Sequence, residues 1–186
     1  MRLFLAIDPG EACRNKLAAY IEKARTHTSG IRWVKPEKLH ITMAFLGEVH
    51  DSRLEQVVSS SQRLTVSHRP FTASVHGSGV FPNWRRPRVV WLGIEDRGAL
   101  GKLGADIQAM CLDLGYPTDH PFRAHLTIGR AGQPLSAPQR QGLKKALEVP
   151  IGPHPFDVTR VSLLSSKLGA GGSVYSELAS FPLGGA

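Results

Sequence analysis

Only two cysteines occur in the chain, Cys13 and Cys111, and neither belongs to a CxxC pair or to a ligand set with spaced histidines. A disulfide framework finds no support, and both thiols fall within apolar helical patterns, where free cysteine behaves as a small hydrophobe. Long apolar runs are also missing. Met1 to Ile7 is broken at once by Asp8 and Pro9, too short for a secretory core and far too short to span a bilayer. No membrane association and a cytoplasmic location are the expectation. Low-complexity stretches and long linkers are absent, and acidic side chains are scarce, 15 against 23 Lys and Arg for a formal charge of +8. That deficit favours a polyanionic partner without requiring one. What is present, 41% hydrophobic and 20% charged residues over 186 positions, suits a globular protein with one sizeable core, built as one domain or as two small lobes sharing a cleft.

Short β-rich runs alternate with amphipathic helical ones, which indicates a mixed α and β fold. Leu3 to Asp8 reads as a strand, after which Cys13, Leu17, Ile21 and Ala24 recur at helical spacing and Gly30 ends the element. Ile31 to Val34 and Leu39 to Leu46 read as strands, Asp51 to Leu64 as a helix opened by Asp51, and Phe71 to Val80 as a strand. The second half repeats the order, with a strand at Arg88 to Ile94, a helix carrying Ala99, Leu103, Ile107 and Met110, and a strand beginning at His125.

The repeat holds residue by residue. The four helical positions recur 86 residues later, while His40 maps onto His125 and Pro70-Phe71 onto Pro155-Phe156 at an offset of 85. One deletion between helix and strand accounts for the change of offset. A duplicated unit predicts two similar lobes related by a pseudo-twofold axis, with equivalent strands facing one another across a central groove and His-x-Thr motifs at 40–43 and 125–128.

Alternation along a strand puts His40, Thr42 and Ala44 on one face and Ile41, Met43 and Phe45 on the other. It likewise puts His125, Thr127 and Gly129 opposite Leu126 and Ile128. Two such polar faces meeting in a groove surround a small anion with two imidazoles and two hydroxyls. Phosphoryl transfer needs a base for the nucleophile, an acid for the leaving oxygen and donors for the non-bridging oxygens. Histidine serves both proton roles because its pKa of about 6.5 allows one ring to be neutral and the other cationic near neutral pH.

A lone His-x-Thr is a weak signal, but its flanks are specific. They include Arg32-Trp33-Val34-Lys35-Pro36-Glu37-Lys38-Leu39 before His40, Gly79-Val80-Phe81-Pro82, Arg86-Pro87-Arg88-Val89-Val90-Trp91, Pro121-Phe122-Arg123-Ala124 before His125, and Leu168-Gly169-Ala170-Gly171-Gly172-Ser173-Val174-Tyr175. Nearly end to end, the chain resembles the two-histidine phosphoesterases, and within them the RNA 2′,3′-cyclic phosphodiesterases, also called 2′-5′ RNA ligases. The resemblance implies an α+β fold over residues 1–186, a single domain of two pseudo-symmetric lobes whose two antiparallel sheets line a central cleft with helices outside, and with it hydrolysis of a 2′,3′-cyclic phosphate to a 2′-phosphate and a reversible 2′-5′ ligation. It also implies His40 as proton donor, His125 as proton acceptor, and Thr42 and Thr127 as ligands of phosphate oxygens. RNA ends, those of tRNA fragments among them, are the expected partner, with a monomeric protein and no cofactor.

Among the other candidates, Trp84-Arg85-Arg86-Pro87-Arg88 reads either as an RNA contact, with Trp84 as a base platform and Arg86 on phosphate, or as a solvated basic loop. Lys167 and Arg130 suit an anionic substrate, although alternation turns Arg130 off the His125 face. His50, His68, His76, His120 and His154 form no HExxH or HxH pattern and read as surface or structural, so no metal is expected. Gly169-Ala170-Gly171-Gly172 lacks the lysine and following helix of a phosphate loop and reads as a turn between two late strands. Two rival functions stand beside the first, a cyclic phosphodiesterase of small nucleotides such as ADP-ribose cyclic phosphate and an RNA-end-binding protein without turnover.

Overall fold

The computed structural model describes residues 1–118, 120–169 and 172–184. Its elements run β1 (Arg2–Ile7), α1 (Glu11–Thr26), β2 (Ile31–Trp33), β3 (Ile41–Glu48), α2 (Asp51–Thr65), β4 (Phe71–Phe81), β5 (Val89–Glu95), α3 (Ala99–Asp113), β6 (His125–Ala131), α4 (Ala137–Leu147), β7 (His154–Val158), β8 (Arg160–Gly169) and β9 (Gly172–Pro182). The helical stripe Cys13, Leu17, Ile21, Ala24 is the buried face of α1, and both thiols are free and buried. Desolvation pushes the Cys111 thiol up to about 11, so it stays protonated.

Two elements differ from the sequence reading. His50, not Asp51, caps α2, its ring nitrogen accepting from the Ser52 amide, while Asp51 occupies the first turn. The fourth helix, α4, has no counterpart in the sequence reading. Its signal is a capping box in which Ser136 accepts from the Gln139 amide and the Gln139 side chain accepts from the Ser136 amide. In the glycine run of 169–172, Gly169 ends β8 opposite Gly172 at the start of β9, and residues 170 and 171 lie outside the described residues.

The strands form two antiparallel sheets, ordered β3-β1-β8-β9 and β2-β6-β5-β4-β7. Each sheet draws on both halves of the chain. The first joins β1 and β3 to β8 of the second half, and the other joins β5 and β6 to β4 of the first half. At the repeat offset β4 corresponds to the β7–β8 stretch, and each repeat lends a strand to its twin, β4 to the sheet of β5 and β6 and β8 to that of β1 and β3. The helices follow: α2 and α3 pack on the β3-β1-β8-β9 sheet, α1 packs on β2 and β7 of the other, and α4 packs on α1. Among the described residues, no helix is long and apolar enough to cross a membrane.

This interleaving makes one cluster of buried side chains out of both sheets. Leu5 on β1 is 0% exposed between β3 and β8, and Leu5→Ala is expected to cost about 2–5 kcal/mol. Trp33 and Trp91 stand on the other sheet. In urea melts their fluorescence midpoint is expected to fall as far as the far-UV CD midpoint. A fluorescence midpoint left at the wild-type value would mean that the sheets unfold separately.

Candidate active site

His40 immediately precedes β3 and His125 opens β6, and each ring is held in the same way. Nδ1 of His40 lies 2.8 Å from the Lys38 carbonyl, and Nδ1 of His125 lies 2.7 Å from the Arg123 carbonyl. A carbonyl only accepts, so each Nδ1 carries hydrogen and each neutral ring presents an unprotonated Nε2. The rings are further fixed by aromatic neighbours. His40 packs on Phe4 at 5.1 Å and edge-on to Tyr175 at 5.2 Å, and His125 meets Phe81 edge-on at 5.1 Å.

Both strands carry one extra residue just past the motif. Leu5 pairs with Ala44 and Ala6 with Thr42, leaving Met43 unpaired; Val90 pairs with Gly129 and Trp91 with Thr127, leaving Ile128 unpaired. Such a bulge reverses the alternation beyond it. Ala44 and Gly129, assigned above to the histidine face, are therefore buried, and the next residue of each strand returns to the cleft. In the first repeat that residue is Phe45, read from sequence as core but 49% exposed and stacked on Phe4 at 5.2 Å. In the second it is Arg130, which the bulge restores to the face of His125 and Thr127. The available signal was Gly129, since an isolated glycine in a strand marks a bulge. A Cβ there would sit 2.7 Å from Ile31 and 3.2 Å from the Trp33 ring.

A cleft of about 640 Å³ results, lined by Thr42, Phe45, Phe81, His125, Thr127 and Arg130, with Gln108 and residues of the loop before β6. His40 opens instead on a recess of about 200 Å³ with Asp8, Tyr175 and Glu177, whose wall residue Ala6 pairs with Thr42 of the cleft. Gln108 on α3 fastens the loop, donating to the His120 carbonyl at 3.0 Å and accepting from the Phe122 amide at 2.9 Å. It thereby steadies the segment whose Arg123 carbonyl orients His125; nothing in its sequence context marked it out. Lys167 is exposed on β8 opposite Val174 and lines neither space, Trp84 is 39% exposed in the turn after β4, and Arg86 lines a different groove.

Burial is the first cause that lowers both histidine pKa values below the ordinary 6.5, with the backbone carbonyls acting in the opposite sense. The positive charge of Arg130 lowers both further; His125 also lowers His40, which Asp8 raises. Without an anion the two rings are thus predominantly neutral at pH 7. Among the described residues, Arg130 has no carboxylate partner. The remaining histidines do other things: His68 and His76 contact Asp106 and Glu95, each at 3.0 Å, and His120 lies at the cleft rim. No group of three or more His, Cys, Asp or Glu converges among the described residues.

A sequence profile of LigT-like phosphoesterases matches the chain twice, over residues 7–91 and 92–175. Over 131 residues the chain is 41% identical to the RNA 2′,3′-cyclic phosphodiesterase of Archaeoglobus fulgidus, covering 70% of this chain and 72% of that one. It is 30% identical to the protein of the same name from Methanothermobacter thermautotrophicus, covering 98% and 99%. Among solved structures, one from Thermus thermophilus superposes with a TM-score of 0.85 at 31% identity, covering 100% of this chain and 99% of that one. That of E. coli LigT complexed with 3′-AMP does so with a TM-score of 0.77 at 28% identity, covering 98% and 97%.

The electrostatics of the site have a direct consequence. Arg130→Gln removes a cation that opposes imidazole protonation, so the titration midpoints of both His40 and His125 are expected to rise toward 6.5 in the ligand-free protein. Histidine NMR titration reads this, and midpoints that stay in place would remove Arg130 from the electrostatics of the pair.

Proposed function

The chain belongs to the LigT-like phosphoesterase family, and from that premise we propose that it is an RNA 2′,3′-cyclic phosphodiesterase working by paired histidine acid–base catalysis. The observation that carries the reading is the matched pair of imidazoles. Each is fixed through Nδ1 to a carbonyl two residues earlier, with a threonine two residues later on the same strand.

In the proposed step Nε2 of His125 takes a proton from water as its oxygen bonds to phosphorus, and Nε2–H of His40 gives a proton to the departing 3′-oxygen. The ring opens to a 2′-phosphomonoester. Thr42, Thr127 and Arg130 hold the non-bridging oxygens, where charge builds up. The depressed pKa values of the free site fit this cycle, because the incoming phosphate anion offsets Arg130 and lets His40 take up the proton it later delivers. An RNA 5′-hydroxyl in place of water makes the same step a 2′-5′ ligation. The recess beside His40 and the exposed Phe45 ring provide room for the nucleoside that carries the cyclic phosphate. As proposed, the enzyme acts as a monomer, without metal, on RNA ends in the cytoplasm.

The two rings, equivalent in sequence, have unequal tasks, and a leaving-group series separates them. His40→Ala is expected to lose most rate with an alkoxide leaving group and to be partly rescued by a phenolic one, which departs without a proton. His125→Ala is expected to gain nothing from that substrate. Rescue of His125→Ala alone would exchange the two roles, and full activity of either variant would end the mechanism. Thr42→Val and Thr127→Val are each expected to lower the rate by roughly 10² to 10³, and an undiminished rate would reduce that threonine to a strand residue.

A further inference from the structure

Beyond the cleft lies a second groove of about 470 Å³ whose lining is dominated by arginine: Arg85, Arg86 and Arg88 from the stretch joining β4 to β5, and Arg140 from α4. Arg32 belongs with them, because its guanidinium lies 3.7 to 4.0 Å from where a side chain on Gly132, a residue of the groove wall, would begin. Among the described residues, none of these five arginines contacts a carboxylate within ion-pair distance. Gathering like charges without counterions is unfavourable, and directly opposed like charges across a ladder are destabilising. Yet Arg32 stands directly opposite Arg130 in the β2–β6 pair.

The arrangement is also organised. The Asn83 side chain accepts from the Arg85 and Arg86 amides at 3.0 and 3.2 Å, which fixes the turn that presents them. Arg88 is pinned on both sides, its amide donating to Phe81 at 2.8 Å and its carbonyl accepting from Ala131 at 2.9 Å. The Arg140 guanidinium is steadied by the Leu135 carbonyl at 2.7 Å. A set of guanidinium forks without carboxylate partners, three of them carried on backbone held in place by these bonds, is a receptor for phosphates.

From this we infer that the groove is an exosite for the phosphodiester backbone of single-stranded RNA, holding the body of the strand whose end occupies the cleft. The inference rests on the phosphodiesterase reading for which strand end it serves. The two spaces adjoin along the chain at two places. Arg130 lines the cleft and Gly132, two residues on, the groove, while Pro82 lines the cleft and Arg85 the groove, with Trp84, 39% exposed, between those two in sequence. A strand leaving Arg130 meets Arg32, opposite it in the ladder, before the groove, and Trp84 offers a face on which one base can stack. A single small anion would leave most of the five guanidinium groups unmatched; a chain of phosphates matches several and gains by counterion release.

Binding of fluorescein-labelled RNA ending in a 3′-phosphate, followed by anisotropy, tests this without turnover. The wild-type protein is expected to hold a 12-mer at least about tenfold tighter than a trimer and to show a steep salt dependence for the 12-mer. In Arg85→Gln/Arg86→Gln, both on an exposed turn, the 12-mer advantage is expected to shrink. The slope of log K against log salt is expected to fall by about 1.4, since each phosphate contact on a single strand contributes about 0.7. Arg140→Gln, which reaches the groove from α4, is expected to act in the same direction. Equal affinity for trimer and 12-mer, or an unchanged salt slope in the double variant, would overturn the exosite. Turnover by the wild-type protein of the same 12-mer ending in a 2′,3′-cyclic phosphate is a separate readout: its absence would overturn the catalytic reading and leave the anisotropy result to decide the groove.

Discussion

The hydrogen bond from each imidazole Nδ1 to a carbonyl two residues earlier is the contact on which the chemistry of the site depends. It fixes the tautomer, aims Nε2, and ties each ring to the backbone just ahead of its strand, Lys38 before β3 and Arg123 before β6. Because the bond is made within the chain segment that bears the histidine, it survives duplication and appears twice. Its surroundings are less alike. His40 is wedged between Phe4 and Tyr175, with Asp8 acting on it at range, whereas His125 meets Phe81 and feels no such carboxylate. Two rings with the same tautomer thus sit in different fields, which is what an acid and a base drawn from one repeated motif require.

The bulges at Met43 and Ile128 complete the site. One added residue per strand brings the third residue beyond each threonine into the cleft, and there the repeat ceases to be symmetric. Phe45 contributes a ring face and Arg130 a guanidinium, the one suited to a base and the other to a phosphate. Function is divided between the halves at a position where the backbone is equivalent and only the side chain has changed.

Strand exchange explains why the halves act together. With β8 beside β1 and β4 beside β5, neither sheet is complete without residues from both repeats, so the orientation of β3 relative to β6 is set by a shared core rather than by a linker. Basic side chains then extend from the site: Arg130 at the cleft, Arg32 opposite it, and the groove beyond. The net charge of +8 is concentrated in part where phosphates would lie.

The amino-acid sequence by itself determined the duplication, the α+β class, the positions of the two motifs and the apolar stripe of α1, while on α3 it found Leu103 and Ile107 but not Leu100, which is buried in place of Ala99. These are local periodicities that each segment carries independently of its neighbours. His40, Thr42, His125 and Thr127 were legible because they recur with their flanks. Phe45 and Arg130 were not placed correctly, since strict alternation fails at a bulge and a bulge is decided by the register of the neighbouring strand. Gln108 acts through two backbone groups of a loop more than ten residues away, a relation with no periodic trace. Which strand joins which sheet, and the gathering of Arg32, Arg88 and Arg140 about one groove, were decided only by the tertiary structure, because burial of a common core selects among pairings that local pattern leaves equal.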